Sequence, residues 1–435
     1  MLISSFKALE KEIPKTLLDI SKEIRAAGGS SYLVGGFVRD AMLGTVSRDY
    51  DVEVYGLDAQ VLLSILQQFG RPNLVGKAFG VIHLMTRGMD FDFSFPRTEN
   101  KIGEGHRGFL VETHLHLTFA EAALRRDFTV NAMGLSLPEL ELSDPYNGKG
   151  DLEQKILRHV SPAFAEDSLR VLRGVQFASR FSLTLAPETI ALCRSLSLAD
   201  LSSERIFEEF KKWLLKPGRP SLGLDAFLEM DLSRFFPEIG PLGGSFEKLG
   251  KFLDAISLEL PTITDLTSEE ILSFAVLLSG AKNEREVKAF LSRITNEVNI
   301  LRKTPSLWKF APRLLENAKN FKQGFSDEFL RRASVELGGL RLALAYLKCN
   351  PLLEESLRVD VAQYFKQKSQ ELGVFDNPPE PLLKGADLLS LGLKPGKQVG
   401  KILKEEFELQ LQGKIGTPEV ALKFAKAKIG TLTSI

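Results

Sequence analysis

Cysteine is nearly absent: Cys193 and Cys349 are the only two in 435 residues. A disulfide framework is thereby excluded, and reduced thiols are expected. No run of about 18 apolar residues occurs, so no membrane-spanning helix is expected. The opening Met1-Leu2-Ile3-Ser4-Ser5-Phe6-Lys7 lacks the basic-then-apolar order of a signal peptide. These absences together predict a cytoplasmic protein. Histidine is also scarce, five residues with none after His159. The one close pair, His114 and His116, has no carboxylate or thiol partner at ligand spacing and is set aside as a metal site. An excess of either charge is missing too, since 56 Lys and Arg balance 56 Asp and Glu. Total charge therefore gives no support to nucleic-acid binding, and phosphate contacts must come from local patches. Neither repeats nor low-complexity tracts stand out.

The chain is long enough for several packing units. The first 136 residues alternate helical and strand patterns. Phe6 to Ala27 reads as an amphipathic helix, Tyr32-Leu33-Val34 as a short strand, and Gly36 through Met42 as a helix. Tyr50 to Tyr55 alternates in period two, and Val81 to Thr86 and Met89 to Phe95 follow as strands joined at Arg87-Gly88. Thr98 to Phe119 is polar and Gly-containing and reads as a mobile loop. Helical patterns dominate after about residue 150. The expected class is α+β: a small β-sheet with flanking helices at the N-terminus, then an all-helical remainder.

Chemistry concentrates in the first part. Gly35-Gly36 joins a strand to a helix start, a layout that lets backbone approach an anion closely. Asp49 and Asp51 sit two apart on the second strand, so both carboxylates leave one face. Asp92 offers a third from a neighbouring strand, with Asp90 on the same face as its competitor. Three convergent carboxylates beside a phosphate cradle suit divalent cations, Mg²⁺ first, and a two-metal site. Any one of these pieces alone is more often a turn or a solvated strand face; the combination is harder to dismiss. Further along, Glu166, Asp167, Arg170 and Arg173 share one arc of a helical wheel, opposite Leu169, Val171, Leu172 and Val175, with Phe177 an apolar exception. In isolation that arc reads as a surface with a Glu166–Arg170 pair.

Together Gly35-Gly36-x-Val38-Arg39-Asp40 and Asp49-x-Asp51 resemble the head motif of the class II CCA-adding/poly(A) polymerase family of the DNA polymerase β superfamily. Arg125-Arg126-Asp127-Phe128-Thr129-Val130-Asn131 resembles its second motif, and Asp144-Pro145-Tyr146-Asn147-Gly148 its hinge. Glu166-Asp167-Ser168-Leu169-Arg170 resembles the nucleotide-selecting motif, and Ser203-Glu204-Arg205-Ile206 through Lys212 the neck helix. The segment from Lys384-Gly385-Ala386-Asp387-Leu388 to Gly413 is similar to the tail of bacterial members.

The resemblance implies a polymerase β-like nucleotidyltransferase head at residues 1–136, a neck at 137–240, a body at 241–345 and a tRNA-binding tail at 346–435. It implies C and A addition to the tRNA 3′ end from CTP and ATP. Asp49 and Asp51 would hold metal, with Asp92 the third catalytic carboxylate. Gly35, Gly36 and Arg39 would contact the triphosphate, and Arg126, Asp127 and Asn131 the sugar and phosphates. Asp167 and Arg170 would face the base, and Arg173, on the same arc, would join in binding the nucleotide.

Basic residues interleaved with aromatics between Arg302 and Lys322, and the cluster Lys384, Lys394, Lys397, Lys401 and Lys404, are candidate contacts to the tRNA acceptor and elbow. Poly(A) polymerases share these motifs, and split CC- or A-adding enzymes share most. Ala78, where the polymerase branch tends to carry a second basic residue, favours tRNA ends. The full-length Thr98–Phe119 segment favours a reach that includes the terminal A. A silent RNA-binding protein is the alternative outside enzymes, and the intact Asp49, Asp51, Arg126, Asp127, Asp167 and Arg170 speak against it. Gly392 to Lys397 is too short for a Walker phosphate loop. Without histidine after His159, a His-Asp phosphohydrolase activity is not expected.

Overall fold

A computed structural model describes residues 11–45, 47–75, 81–101, 109–113, 117–263, 265–321 and 324–433. The chain divides into two compact units, Met1–Phe235 and Phe236–Ile435.

The first unit is α+β. Helix α1 (Lys15–Ala26) buries Leu17, Ile20 and Ile24. It begins later than the periodicity predicts because Pro14 stands at its N-cap and pushes the preceding residue out of helical backbone; residues 6–10 lie outside the described set. Then follow β1 (Ser30–Val34), α2 (Gly36–Met42), β2 (Tyr50–Tyr55), α3 (Ala59–Gln67), β3 (Arg71–Val75), β4 (Val81–Thr86) and β5 (Met89–Ser94). Residues 76–80, Ala78 among them, are outside the described residues.

The segment expected to be a loop is partly a hairpin. Strands β6 (Arg97–Lys101) and β7 (Phe109–Thr113) pair antiparallel from Arg97↔Thr113 to Lys101↔Phe109. The polar composition of β6 (Arg97-Thr98-Glu99-Asn100-Lys101) and the shortness of both strands, five residues each, hide the pair. His114 and His116 fall outside the described residues. A Thr118–Glu121 capping box then starts α4 (Phe119–Ala123). Strands β8 (Gly134–Leu137) and β9 (Leu142–Ser143) complete a seven-stranded mixed sheet of order β3-β4-β5-β2-β1-β8-β9.

Alternation along two strands sets up the site. In β2, Tyr50, Val52 and Val54 are buried while Asp51 and Glu53 are partly exposed; in β5, Phe91 and Phe93 are buried while Asp90 and Asp92 are exposed. The two strands run parallel, with Asp51 in register with Asp92. The apolar set therefore fixes which face the carboxylates must occupy.

Beyond α5 (Gly148–Gln154), a short parallel pair β10 (Ile156–Leu157) and β11 (Thr184–Leu185) flanks α6 (Leu169–Phe181). Helices α7 (Pro187–Ser195), α8 (Ser203–Leu215) and α9 (Pro220–Glu229) follow, with α6 packed on α8 and α9 around fully buried Trp213, Phe210 and Phe227.

The second unit is helical throughout its described residues. Its longest helix, Val298–Lys319, carries the basic and aromatic stretch. The aromatics there are packing groups rather than stacking platforms. Phe310 is buried, Trp308 Nε1 donates to Leu278 O at 2.8 Å, and Phe321 lies edge-on to Tyr364. By contrast Lys384, Lys394, Lys397, Lys401 and Lys404 are all exposed, above a separate core of Leu388, Ile402, Ala421 and Ala425.

Candidate active site

Eleven of the residues singled out from sequence line one cleft of about 660 Å³: Gly35, Gly36, Arg39, Asp49, Asp51, Arg126, Asp127, Asn131, Asp167, Arg170 and Arg173. Asp92 lies next door, in a hollow of about 420 Å³ that shares Ser47 and Asp49 with the cleft. Eight cationic side chains and five carboxylates line the main cleft. That local excess suits a polyanion, although the whole chain carries no net charge.

On the head side, Gly35 sits at φ 66°, ψ −124°, a backbone region that demands glycine, and a Cβ there would come within 3.3 Å of the Arg126 guanidinium. Asp49 immediately precedes β2, and its N–H reaches Ser47 Oγ at 3.2 Å. Burial, then the Asp49 and Asp92 carboxylates, push the Asp51 carboxyl up to about 6, with Arg126 opposing. Asp92 is distinguished from Asp90 by register with Asp51 and by His83, whose Nδ1 lies 2.7 Å from Asp92 Oδ1 and whose Nε2 lies 3.5 Å from Asp90.

Among the described residues no group of three acidic, His or Cys side chains is gathered closely enough to cage an ion. The residues nevertheless fit a cation that shares its sphere with phosphate oxygens and water, as Mg²⁺ does. The raised Asp51 reflects burial first and then the nearby Asp49 and Asp92 charges, both of which a bound cation would offset.

The neck side is wired differently. Asp127 is buried and accepts from Phe128 N at 2.7 Å, Asn131 Nδ2 at 2.9 Å and Arg173 at 2.6 Å. Burial alone would raise its carboxyl; the Arg173 charge and these donors outweigh it and hold the group below the usual range. Arg173 is correspondingly raised: burial opposes, but Asp127 and Glu209 win. Arg39 is only 5% exposed. It donates to Asp40 and to Asn131 Oδ1 at 2.5 Å and stacks on Phe177 and Phe181 at 5.4 and 4.2 Å. Burial lowers its pKa, with Asp40 opposing. Arg126 bonds Glu53 at 2.8 Å.

The helical arc expected at Glu166–Arg173 is broken. A 3-10 turn, Pro162–Glu166, ends before Asp167, which is extended, and α6 starts only at Leu169. Asp167 instead accepts from Leu169 N at 3.1 Å and from Arg205 at 2.8 Å. Glu166 pairs with Arg125 at 3.2 Å rather than with Arg170. Arg170 donates to Ala163 O at 2.8 Å and Arg125 O at 2.6 Å.

Sequence reasoning passed over Gln176 and Arg180, and placed Arg125, Arg205 and Lys212 in motifs without giving them a site role; all five also line the cleft. A spacing signal existed: Arg173, Gln176 and Arg180 share one face of α6, and Arg205 and Lys212 one face of α8.

Comparison with known proteins agrees with this layout. Residues 31–158 match the poly A polymerase head domain, and residues 182–241 match the probable RNA and SrmB-binding site of polymerase A. The chain is 40% identical over 220 residues to the multifunctional CCA protein of Dechloromonas aromatica (strain RCB), covering 49% of this chain and 51% of that one. The corresponding protein of Xylella fastidiosa (strain M12) is 43% identical over 192 residues, 42% of this chain and 44% of its own. The chain thus spans about half the length of the curated relatives it matches. In fold it is similar to a CCA-adding enzyme solved with CTP, at 20% identity and TM-score 0.69, covering 99% of both chains. The Thermotoga maritima CCA-adding enzyme complexed with tRNA gives TM-score 0.65 at 20% identity, covering 99% of this chain and 100% of that one.

Proposed function

We propose, from the premise that this chain belongs to the CCA-adding/poly(A) polymerase family, that it adds C and A from CTP and ATP to the 3′ end of tRNA without a nucleic-acid template. One observation carries the proposal. Asp51 and Asp92 stand in register on parallel strands, with Asp51 pushed up to about 6 by burial and then by the Asp49 and Asp92 carboxylates, at the edge of a cleft rich in arginine.

In the reaction the tRNA 3′-oxygen bonds to the α-phosphorus, its proton leaves, and the bond to pyrophosphate breaks. Asp49 and Asp51 would hold Mg²⁺, with Asp92 as third carboxylate; two such ions would stabilise the attacking and leaving oxygens. The chain's own groups do the positioning. The glycine backbone at Gly35 and Gly36 admits the triphosphate, and Arg126 meets its charge, supported by the buried Arg39. Asn131 and Arg173 face sugar and phosphate, and Asp127, already saturated with donors, fixes both. Asp167 accepts from the exocyclic amine of C or A while Arg170 presents its guanidinium edge to a ring nitrogen. U and G place a carbonyl against Asp167, and such an unpaired contact costs about 1–3 kcal/mol.

Within this reading the head is residues 1–136, the neck 137–240, the body 241–345 and the tail 346–435, with the exposed lysines of the tail meeting tRNA phosphates. The setting is the cytoplasm: both cysteines are buried free thiols, and no described helix is long and apolar enough to cross a membrane.

The test uses purified protein and tRNA transcripts ending before CCA, after C and after CC. CTP and ATP are supplied separately and together, and the 3′ ends are sequenced. Restoration of CCA is expected. Long A tails on unrelated RNA would instead identify a poly(A) polymerase, and no addition at all would leave a binding protein.

A further inference from the structure

Asp167 stands at the centre of base choice in the reading above, and the geometry shows what holds it. Its carboxylate hangs from an extended residue between the 3-10 turn and α6. Nothing in regular secondary structure fixes such a side chain. Three contacts do so. Oδ1 accepts from Leu169 N at 3.1 Å and from Arg205 Nη2 at 3.1 Å; Oδ2 accepts from the same Nη2 at 2.8 Å. A carboxylate oxygen offers two lone pairs. Oδ1 is therefore full, and Oδ2 keeps one acceptor position among the described residues.

Arg205 reaches Asp167 from the first turn of α8, one turn past its Ser202 N-cap. Both side chains keep some solvent contact, 26% for Arg205 and 30% for Asp167, and both line the cleft. Lys212, two turns on and also in the cleft, is tied to buried Glu209 at 2.8 Å.

We infer that Arg205 is a specificity-determining positioning residue: it fixes the plane of the Asp167 carboxylate and leaves a single, directed acceptor for one exocyclic amine hydrogen. This rests on the reading of Asp167 as the base-facing group. Amine-bearing bases fill that one position. A carbonyl oxygen of U or G meets a carboxylate that cannot rotate away, because its other lone pairs are committed. Without Arg205 only the Leu169 N contact to Oδ1 remains, so the carboxylate gains freedom about its terminal torsion and can turn away from the base edge, and the wrong bases are rejected less strongly.

Two measurements test this on the full chain. Equilibrium binding of CTP, ATP, UTP and GTP without tRNA gives discrimination apart from turnover. Four-nucleotide competition on tRNA ending before CCA gives it during addition. For Arg205→Ala the preference for CTP over UTP should shrink about tenfold, the value of one well-placed hydrogen bond. Arg205→Gln, which keeps a planar donor, should retain more of the preference than Arg205→Lys, which keeps only the charge. Binding of all four nucleotides weakening in parallel would make Arg205 a phosphate contact and overturn the inference. Lys equal to wild type in discrimination would overturn it too, because charge alone would then suffice. Should the alanine variant not fold, the glutamine and lysine variants decide by the same comparison. If wild type adds nothing to tRNA yet prefers CTP and ATP in binding, the proposed activity fails while the role of Arg205 stands.

Discussion

The two walls of the cleft treat carboxylates in opposite ways. On the wall where Asp127 meets the neck (the neck wall), each carboxylate has a cation within reach. Asp127 with Arg173 at 2.6 Å and Asp167 with Arg205 at 2.8 Å line the cleft, and Glu166 and Glu209, outside its lining, pair with Arg125 at 3.2 Å and Lys212 at 2.8 Å. On the strand wall the Asp49 and Asp92 charges add to burial in raising Asp51, with Arg126 opposing, and Asp92 contacts the His83 ring. A wall of satisfied pairs is rigid before any ligand arrives, which suits recognition. Unbalanced negative charge is completed only by a cation, which suits metal-dependent chemistry. The difference teaches that the same residue type can be a structural part on one side of a site and a reactive part on the other.

The comparison is broken most severely on the strand wall. Asp49→Ala or Asp51→Ala should cut addition of both C and A about a thousandfold or more, as losing several kcal/mol of charge stabilisation implies. Affinity for tRNA, measured by filter binding, should change little. Near-normal turnover in either variant would remove these groups from the chemistry.

On the neck wall the expected loss is folding rather than chemistry alone. Asp127→Ala strands Arg173 and takes acceptors from Asn131 and Phe128. Breaking a buried pair in this way costs about 3 kcal/mol, the lower end of the usual range because Arg173 keeps a third of its side chain in water. Denaturant unfolding should show it, whereas Asp51→Ala should leave unfolding nearly unchanged. Equal destabilisation by both would erase the distinction between the walls.

A third, smaller effect concerns the hairpin of β6 and β7. Deleting residues Asn100 to Glu112 should lower incorporation of A relative to C about tenfold, if the segment adjusts the pocket between the two bases. Primer-extension on tRNA ending in CC reads this directly. An unchanged ratio of A to C would detach the hairpin from base switching.

How far these walls were legible in the sequence follows from what sets each one. Period-two alternation marks β2, β4 and β5 closely, because buried Val52, Phe91 and Phe93 leave Asp51 and Asp92 no other face. Glycines 35 and 36 announce the turn for the same local reason. The neck wall depends on partners far apart in sequence, and local pattern is silent there. Arg39 looks like an exposed helix cation until Phe177 and Phe181 close over it. Asp167 looks helical until Pro162 starts a separate turn. Strand β3 does not show in the sequence because Pro72 interrupts its pattern, a residue tolerated on the sheet edge where β3 lies.

The finest test asks whether the strand wall is truly short of positive charge. Asp51 has a folded-state carboxyl raised from 3.8 to about 6, so the folded protein binds that proton more tightly than the unfolded chain. Between those two values stability must fall as pH rises, and above about 6 the full penalty is present. Asp51→Asn removes the charge at nearly constant shape. Without divalent metal the variant should match wild type near pH 4 and melt slightly higher at pH 7, by about 2 °C or less, since the penalty of burying the charge beside Asp49 and Asp92 is reduced by the solvent contact Asp51 keeps. Mg²⁺ at pH 7 should then raise wild type but not the variant, because a bound cation stabilises only the wall that holds it. Melting curves at pH 4 and 7, with chelator and with Mg²⁺, give the four values needed. A variant less stable than wild type at pH 7 in chelator would show that the strand-wall carboxylates are balanced already, and the contrast between the two walls would collapse.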